Sequence, residues 1–212
     1  MFSLKNKVFD RRRDIAFLCV VAIVVSLYSA YSLTFFAKAA DMVRQDTVRL
    51  HILANSDSEE DQAVKLMVRD ALIRESAVLC GDYTTVEAAE EYFRNNKDSL
   101  TEIANRVLRE NGFTYTATVT LTEEYYETRQ YGDLTFPAGV YTSLRVILGE
   151  GEGHNWWCVM FPNLCVPVAG DIETDDDELD NYSSGGKKVV GEKYQVKFKI
   201  SEFYERLKNK FR

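Results

Sequence analysis

Between Asp14 and Lys38 the chain reads IAFLCVVAIVVSLYSAYSLTFFA, 23 residues without a charge, directly behind Arg11-Arg12-Arg13. No other stretch restricts the fold as strongly. About 20 apolar residues cross a bilayer as a helix, and a basic cluster at one end holds that end in the cytoplasm. The run is longer than the roughly 7–15 residues of a signal-peptide core. Its second half is nevertheless diluted by Ser26, Ser29, Ser32 and Thr34, and AKAAD (Ala37 to Asp41) supplies small residues that a signal peptidase reads at Ala39 and Ala40. Residues 1–40 therefore read equally as a cleaved signal peptide or as an uncleaved membrane anchor. Both send the rest of the chain across the membrane. The uncharged length and its flanks disfavour a buried core helix.

The same division organises the charge. The 212 residues carry a net charge of −7, but residues 1–40 hold six basic and two acidic side chains, leaving 20 basic and 31 acidic beyond them. An acidic domain is poorly made for phosphate backbones, whose affinity comes from Lys and Arg, so no nucleic-acid partner is expected. A hydrophobic content of 46%, with twelve Tyr and twelve Phe, suffices for a core. Cys19 lies in the apolar run, whereas Cys80, Cys158 and Cys165 lie beyond it. An odd number outside permits at most one internal pair.

Within the exported part, TVRLHILANSD (Thr47 to Asp57) sets Val48, Leu50 and Ile52 against Arg49 and His51, the period of a half-buried strand. Asn55-Ser56-Asp57 forms a turn, and an amphipathic helix follows from near Ser58, with Asp57 and Glu60 as a capping box. Residues 84–96 and 98–112 read as two more helices, the second with Ser99 and Glu102 as its box and Gly112 as its stop. FTYTATVTL (Phe113 to Leu121) predicts a strand and EEYYETRQY (Glu123 to Tyr131) its antiparallel partner. VYTSLRVILG (Val140 to Gly149) and WWCVMF (Trp156 to Phe161) predict two more. KYQVKFKI (Lys193 to Ile200) predicts a last strand before a basic terminal helix. The expected architecture is α+β, a mostly antiparallel sheet with helices packed on one side, behind the N-terminal membrane or signal helix. Its parts are a core domain over 41–170, an acidic and Gly/Ser loop over 171–187, and a terminal strand and helix over 188–212.

The chemical candidates are few. Asn55, Asp57 and Glu59 have the first three spacings of an EF-hand loop, but Glu60 stands in place of the turn glycine and Leu66 in place of the closing Glu. Zinc would need Cys80, Cys158, Cys165, His51 and His154 at spacings that match no motif, so neither a metal nor another cofactor is expected. A nucleophilic Cys158 with His154 four positions earlier lacks an orienting group. An extracytoplasmic hydrolase using Cys158 remains one alternative, and a structural envelope protein another. The segment GEGHNWWCVMFPNLC (Gly151 to Cys165) is instead a clamp or a contact surface. Cys158 and Cys165 either pair across the Pro162-Asn163 turn or remain buried thiols. Trp156 and Trp157 point to opposite sides of their strand. One indole enters the core, and the other is either covered or free to act as a binding hot spot.

RLHILANSDSEEDQAVKLMVRDALI (Arg49 to Ile73) and FPAGVYTSLRVILGEGEGHNWWCVMFPNLC (Phe136 to Cys165), in that order behind an N-terminal apolar segment, closely resemble the stage II sporulation protein R family. The resemblance covers roughly residues 46–168. Asn163 departs from the pattern, in which a second proline is expected, and leaves the Cys-to-Cys turn less rigid. The resemblance implies a signal protein without catalytic residues. Such a protein is exported across the forespore membrane into the intermembrane space, secreted or membrane-anchored. There it triggers a membrane-bound aspartic protease of the mother cell to process a sigma-factor precursor. Asn55, Asp57, Trp156 and Trp157 are the expected contact residues.

Overall fold

The computed structural model describes residues 11–80, 85–131, 134–162 and 195–210. The acidic loop, Cys165 and the start of the predicted terminal strand lie outside them. The chain divides into two compact units, Met1–Lys38 and Ala39–Arg212.

In the first unit runs most of α1 (Arg11–Gln45), where apolar side chains such as Phe17, Leu18 and Leu27 are exposed. It has the length and hydropathy of a signal or membrane-anchor helix. Ala39 and Ala40 fall in its last turns, helical and buried within the second unit. Cleavage beside them would therefore have to precede folding.

The second unit is built on a four-stranded sheet in the order β2-β5-β1-β6, with β1 (Val48–Leu53), β2 (Ala117–Tyr126), β5 (Gly139–Leu148) and β6 (Asn155–Phe161). β2 with β5 and β1 with β6 pair antiparallel. β1 and β5 run parallel, from Val48 opposite Thr142 to Leu53 opposite Ile147, so the sheet is mixed. The α+β class holds.

Three helices cover one face: α2 (Glu59–Cys80), α3 (Val86–Asn95) and α4 (Lys97–Glu110). Val48, Leu50 and Ile52 of β1 and Leu144, Val146 and Leu148 of β5 meet Val64, Val68 and Leu72 of α2 and Leu100, Ala104 and Leu108 of α4. The caps differ in detail from the sequence pattern. Ser58, not Asp57, caps α2, its Oγ accepting the Asp61 N–H at 3.2 Å, because Asp57 is turned to another partner. α4 begins two residues before Ser99, which therefore sits inside the helix, and Glu102 pairs with Arg109.

Two strand predictions are corrected. Glu123 to Tyr126 continue β2 rather than turning back, since no Gly, Pro, Asn or Asp interrupts Leu121-Thr122-Glu123. The turn comes later, and β3 (Arg129–Tyr131) with β4 (Leu134–Phe136) forms a separate hairpin. Gln195 to Ile200 are helical, part of α5 (Gln195–Lys210). Their alternation is the start of a longer helical spacing, Ile200, Phe203, Tyr204 and Leu207, which outweighs a short period of two.

Candidate functional site

The strand order dictates where the glycines go. β1 lies between β5 and β6, so residues 149–154 must cross the carboxyl end of β1 to connect them. There they lie on the Asn55–Asp57 turn. Glu152 N–H donates to Asn55 O at 3.2 Å and Gly153 N–H to Ala54 O at 2.9 Å. Asn55 Oδ1 accepts from Glu150 N–H at 3.1 Å. Gly149 adopts φ +56°, and a Cβ there would overlap the Asn55 side-chain oxygen, while a Cβ at Gly153 would overlap the Ser56 carbonyl. Glycine is what allows two backbones to pass at this distance.

The turn is held from below by Asp61, 5% exposed. Its carboxylate accepts from Asn55 Nδ2 at 2.9 Å, from Ser56 Oγ and from the Tyr115 hydroxyl. Burial alone would raise its pKa, but the bonds from Ser56, Tyr115 and Asn55 outweigh burial and lower it. Asp57 reaches across to the loop and accepts from both the N–H and the Nδ1 of His154. The His154 hydrogen bonds hold its carboxyl below the usual range. Lys65 Nζ, whose pKa burial lowers, donates to His154 O at 2.9 Å.

The two indoles part as strand alternation requires. Trp156 faces the helical layer, packs against the core and lies 4.4 Å under the Arg69 guanidinium. Trp157 faces the opposite side, stacked on His51 with centroids 3.5 Å apart and edge-on to Tyr126. That second face is far from the solvated surface implied by alternation. Arg49 is 0% exposed among Tyr126, Tyr131, Phe136 and Tyr141, beneath the β3–β4 hairpin, and donates to the Tyr131 hydroxyl at 2.8 Å. His51 Nδ1 meets Glu124 Oε2 at 3.1 Å, and Arg145 lies 3.4 Å from the same carboxylate. Burial would raise the Glu124 pKa, but hydrogen bonds from His51 and Ser143 prevail and lower it. The indole covers one face of the imidazole, and buried His51, paired with Glu124, backs Trp157 from beneath.

On this support lies an open cleft of about 450 Å³, lined by Asp57, Arg129, Glu152, Gly153, His154, Asn155 and Trp157. Of the four expected contact residues, Asp57 and Trp157 thus share a cleft. Asn55 is consumed in holding the loop, and Trp156 belongs to the helical side. Sequence reasoning missed Arg129, which the hairpin brings over Trp157 at 5.9 Å. It also missed Asp61, whose only signal was an acidic residue three positions after a Ser. Cys158 is 4% exposed and already held in a disulfide, so it has no thiolate to attack with. Cys165 lies outside the described residues. No group of three or more His, Cys, Asp or Glu side chains that could hold a metal occurs among the described residues.

Residues 44–171, the segment that builds β1, the covering helices, the glycine loop and β6, match the model of the family described as stage II sporulation protein R. The chain belongs to the stage II sporulation protein R family. Stage II sporulation protein R of Bacillus subtilis (strain 168) is 36% identical over 124 residues, 58% of this chain. The aligned stretch is 55% of that relative, so the chain spans about half the length of the curated relative it matches. No solved structure matches the chain. The family segment takes in both walls of the cleft, from Asp57 to Trp157, but ends before α5.

Proposed function

We propose that this sporulation protein is a contact signal. Its second unit, exported across the forespore membrane, docks on a membrane-bound aspartic protease of the mother cell and favours the form that processes a sigma-factor precursor. The observation that carries this reading is the cleft itself. Trp157, half-buried on a rigid stack, offers the stiff amphipathic ring common at binding hot spots, and Asp57, Glu152 and Arg129 ring it with charge beside the His154 imidazole. Such a docking event activates only if the active form is bound more tightly than the inactive one. A hydrolase using Cys158 fits less well, because its sulfur is already oxidised. A purely structural envelope role gives the cleft no task.

The test is to co-express the chain with the protease and its precursor in a host that does not sporulate, and to score cleavage by immunoblot. Precursor cleavage is expected with the parent chain. Arg129→Glu, exposed on the cleft wall, and Trp157→Ala should reduce it at least about tenfold, the equivalent of some 1.4 kcal/mol of docking, with exported protein unchanged. Absence of cleavage with the parent chain would overturn the reading. So would full cleavage with both variants.

A further inference from the structure

Among the described residues of the second unit, α5 carries the greatest apolar exposure: Phe203 at 67%, Tyr204 at 62%, Ile200 at 48% and Leu207 at 42%. At about 100° per residue these four fall within one arc of roughly 100°. Exposed Lys208 borders the arc on one side, and exposed Lys199 and Lys210 on the other. The opposite side of the helix faces the fold. Glu205, 8% exposed, receives Arg44 Nη2 at 3.5 Å, and Glu202 pairs with Arg206. Glu205 with Arg44 and Arg206 with Glu127 thus hold the docked side, while lysines flank the apolar strip.

We propose that α5 lies on an anionic membrane surface, its apolar strip in the interface and its lysines at the headgroups. Three observations select lipid over other occupants. Lysines on both borders of an aromatic and aliphatic strip can extend to phosphate while their stems add to the apolar face, as interfacial helices do. A second copy pairing through the same strip would bring these lysine rows together. The helix carries five basic and two acidic residues, whereas residues 41–212 as a whole are net acidic, so its charge complements an anionic surface. The third is chain continuity. Arg44, which grips Glu205, follows the last residue of the apolar run, Ala37, by seven residues, at most about 25 Å of extended chain. With an uncut leader, α5 is held within reach of the bilayer; with a cut leader, it is the membrane contact that remains. α5 lies outside the family segment, and the inference does not depend on the protease.

The test uses the full chain in vesicles of phosphatidylglycerol and phosphatidylethanolamine with acyl-brominated phosphatidylcholine added. Phe203→Trp and Tyr204→Trp place a reporter on the strip, and Asn209→Trp places one on the far side. The emission of the parent, from Trp156 and Trp157, is subtracted. Quenching by the brominated chains should be about twofold stronger at 203 and 204 than at 209, and should weaken when phosphatidylglycerol is omitted. Equal quenching at all three positions, with native circular dichroism, would overturn the proposal. Blue-shifted but unquenched emission at 203 and 204 would also overturn it, since a protein surface would then cover the strip.

Discussion

Arg49 shows how far a residue's environment can depart from its type. Its guanidinium is 0% exposed, with Nε and Nη1 bonded to nothing and one bond to a tyrosine hydroxyl. Four aromatic rings at 4.6–5.4 Å and that one hydroxyl stand against its charge. Removing a buried charge and its unmet donors while keeping volume is commonly neutral or stabilising by about 1–4 kcal/mol. Arg49→Met is therefore expected to leave the melting temperature unchanged or raise it. A loss above about 1 kcal/mol in urea titration would mean that the rings more than repay desolvation. Gly153 points the other way. Its hydrogen is all that fits against the Ser56 carbonyl, and the obstacle is backbone, not a movable side chain. Gly153→Ala is expected to cost about 1–3 kcal/mol by forcing the loop off the turn. A melting temperature equal to the parent's would show that the loop can give way.

At the scale of elements, β6 combines a disulfide, a core edge and a cleft wall in seven residues. Cys158 faces the helical layer, and Pro162 follows the strand. A link to Cys165 would close a short loop worth about 2–3 kcal/mol on the chain-entropy estimate. A peptide map without reductant should return Cys158 joined to Cys165, with Cys80 open to alkylation. A link to Cys80 instead would move the staple from the strand turn to α2. Trp156 and Trp157 separate in the same way: Trp156→Ala should cost about 3 kcal/mol in urea titration, as expected for an indole packed under Arg69 and against the core. These elements also show what was legible. The alternation in β1 correctly marks Val48, Leu50 and Ile52 as the helix-facing row, but it reads Arg49 and His51 as solvated. They are buried because Glu124, more than 70 positions away, and the β3–β4 hairpin cover them, and no local pattern encodes that. The glycines of 149–153 mark a loop from sequence alone, whereas the reason for them depends on β1 inserting between β5 and β6. The lysine-rich alternation before Ile200 suggests a strand because a window of eight residues is too short to show the helical spacing beyond it.

For the molecule as a whole, three carboxylates tie distant parts of the second unit together. Asp61 joins the turn to Tyr115, Glu124 joins β2 to β1 through His51, and Asp57 joins the turn to the glycine loop. Each has a pKa below its ordinary value, 3.8 for the two aspartates and 4.5 for Glu124. A carboxyl whose folded pKa is lowered contributes stability that is complete above its unfolded value and lost as pH falls through the folded one. The fold is thus expected to keep its stability from neutral pH down to about 4.5 and to lose it progressively below that. Because all three links loosen in the same range, the cleft and the sheet face behind it should open together. Asp61→Asn separates this account from general acid sensitivity. At pH 7 it should cost about 2 kcal/mol, for hydrogen bonds lost from a charged acceptor. Below about pH 4 its deficit against the parent should shrink, because the unfolded parent takes up a proton at Asp61 there while the folded one does so only at lower pH. Urea titrations of both chains across the acid range measure that difference, and a deficit constant with pH would remove Asp61 from the set of acid-labile ties.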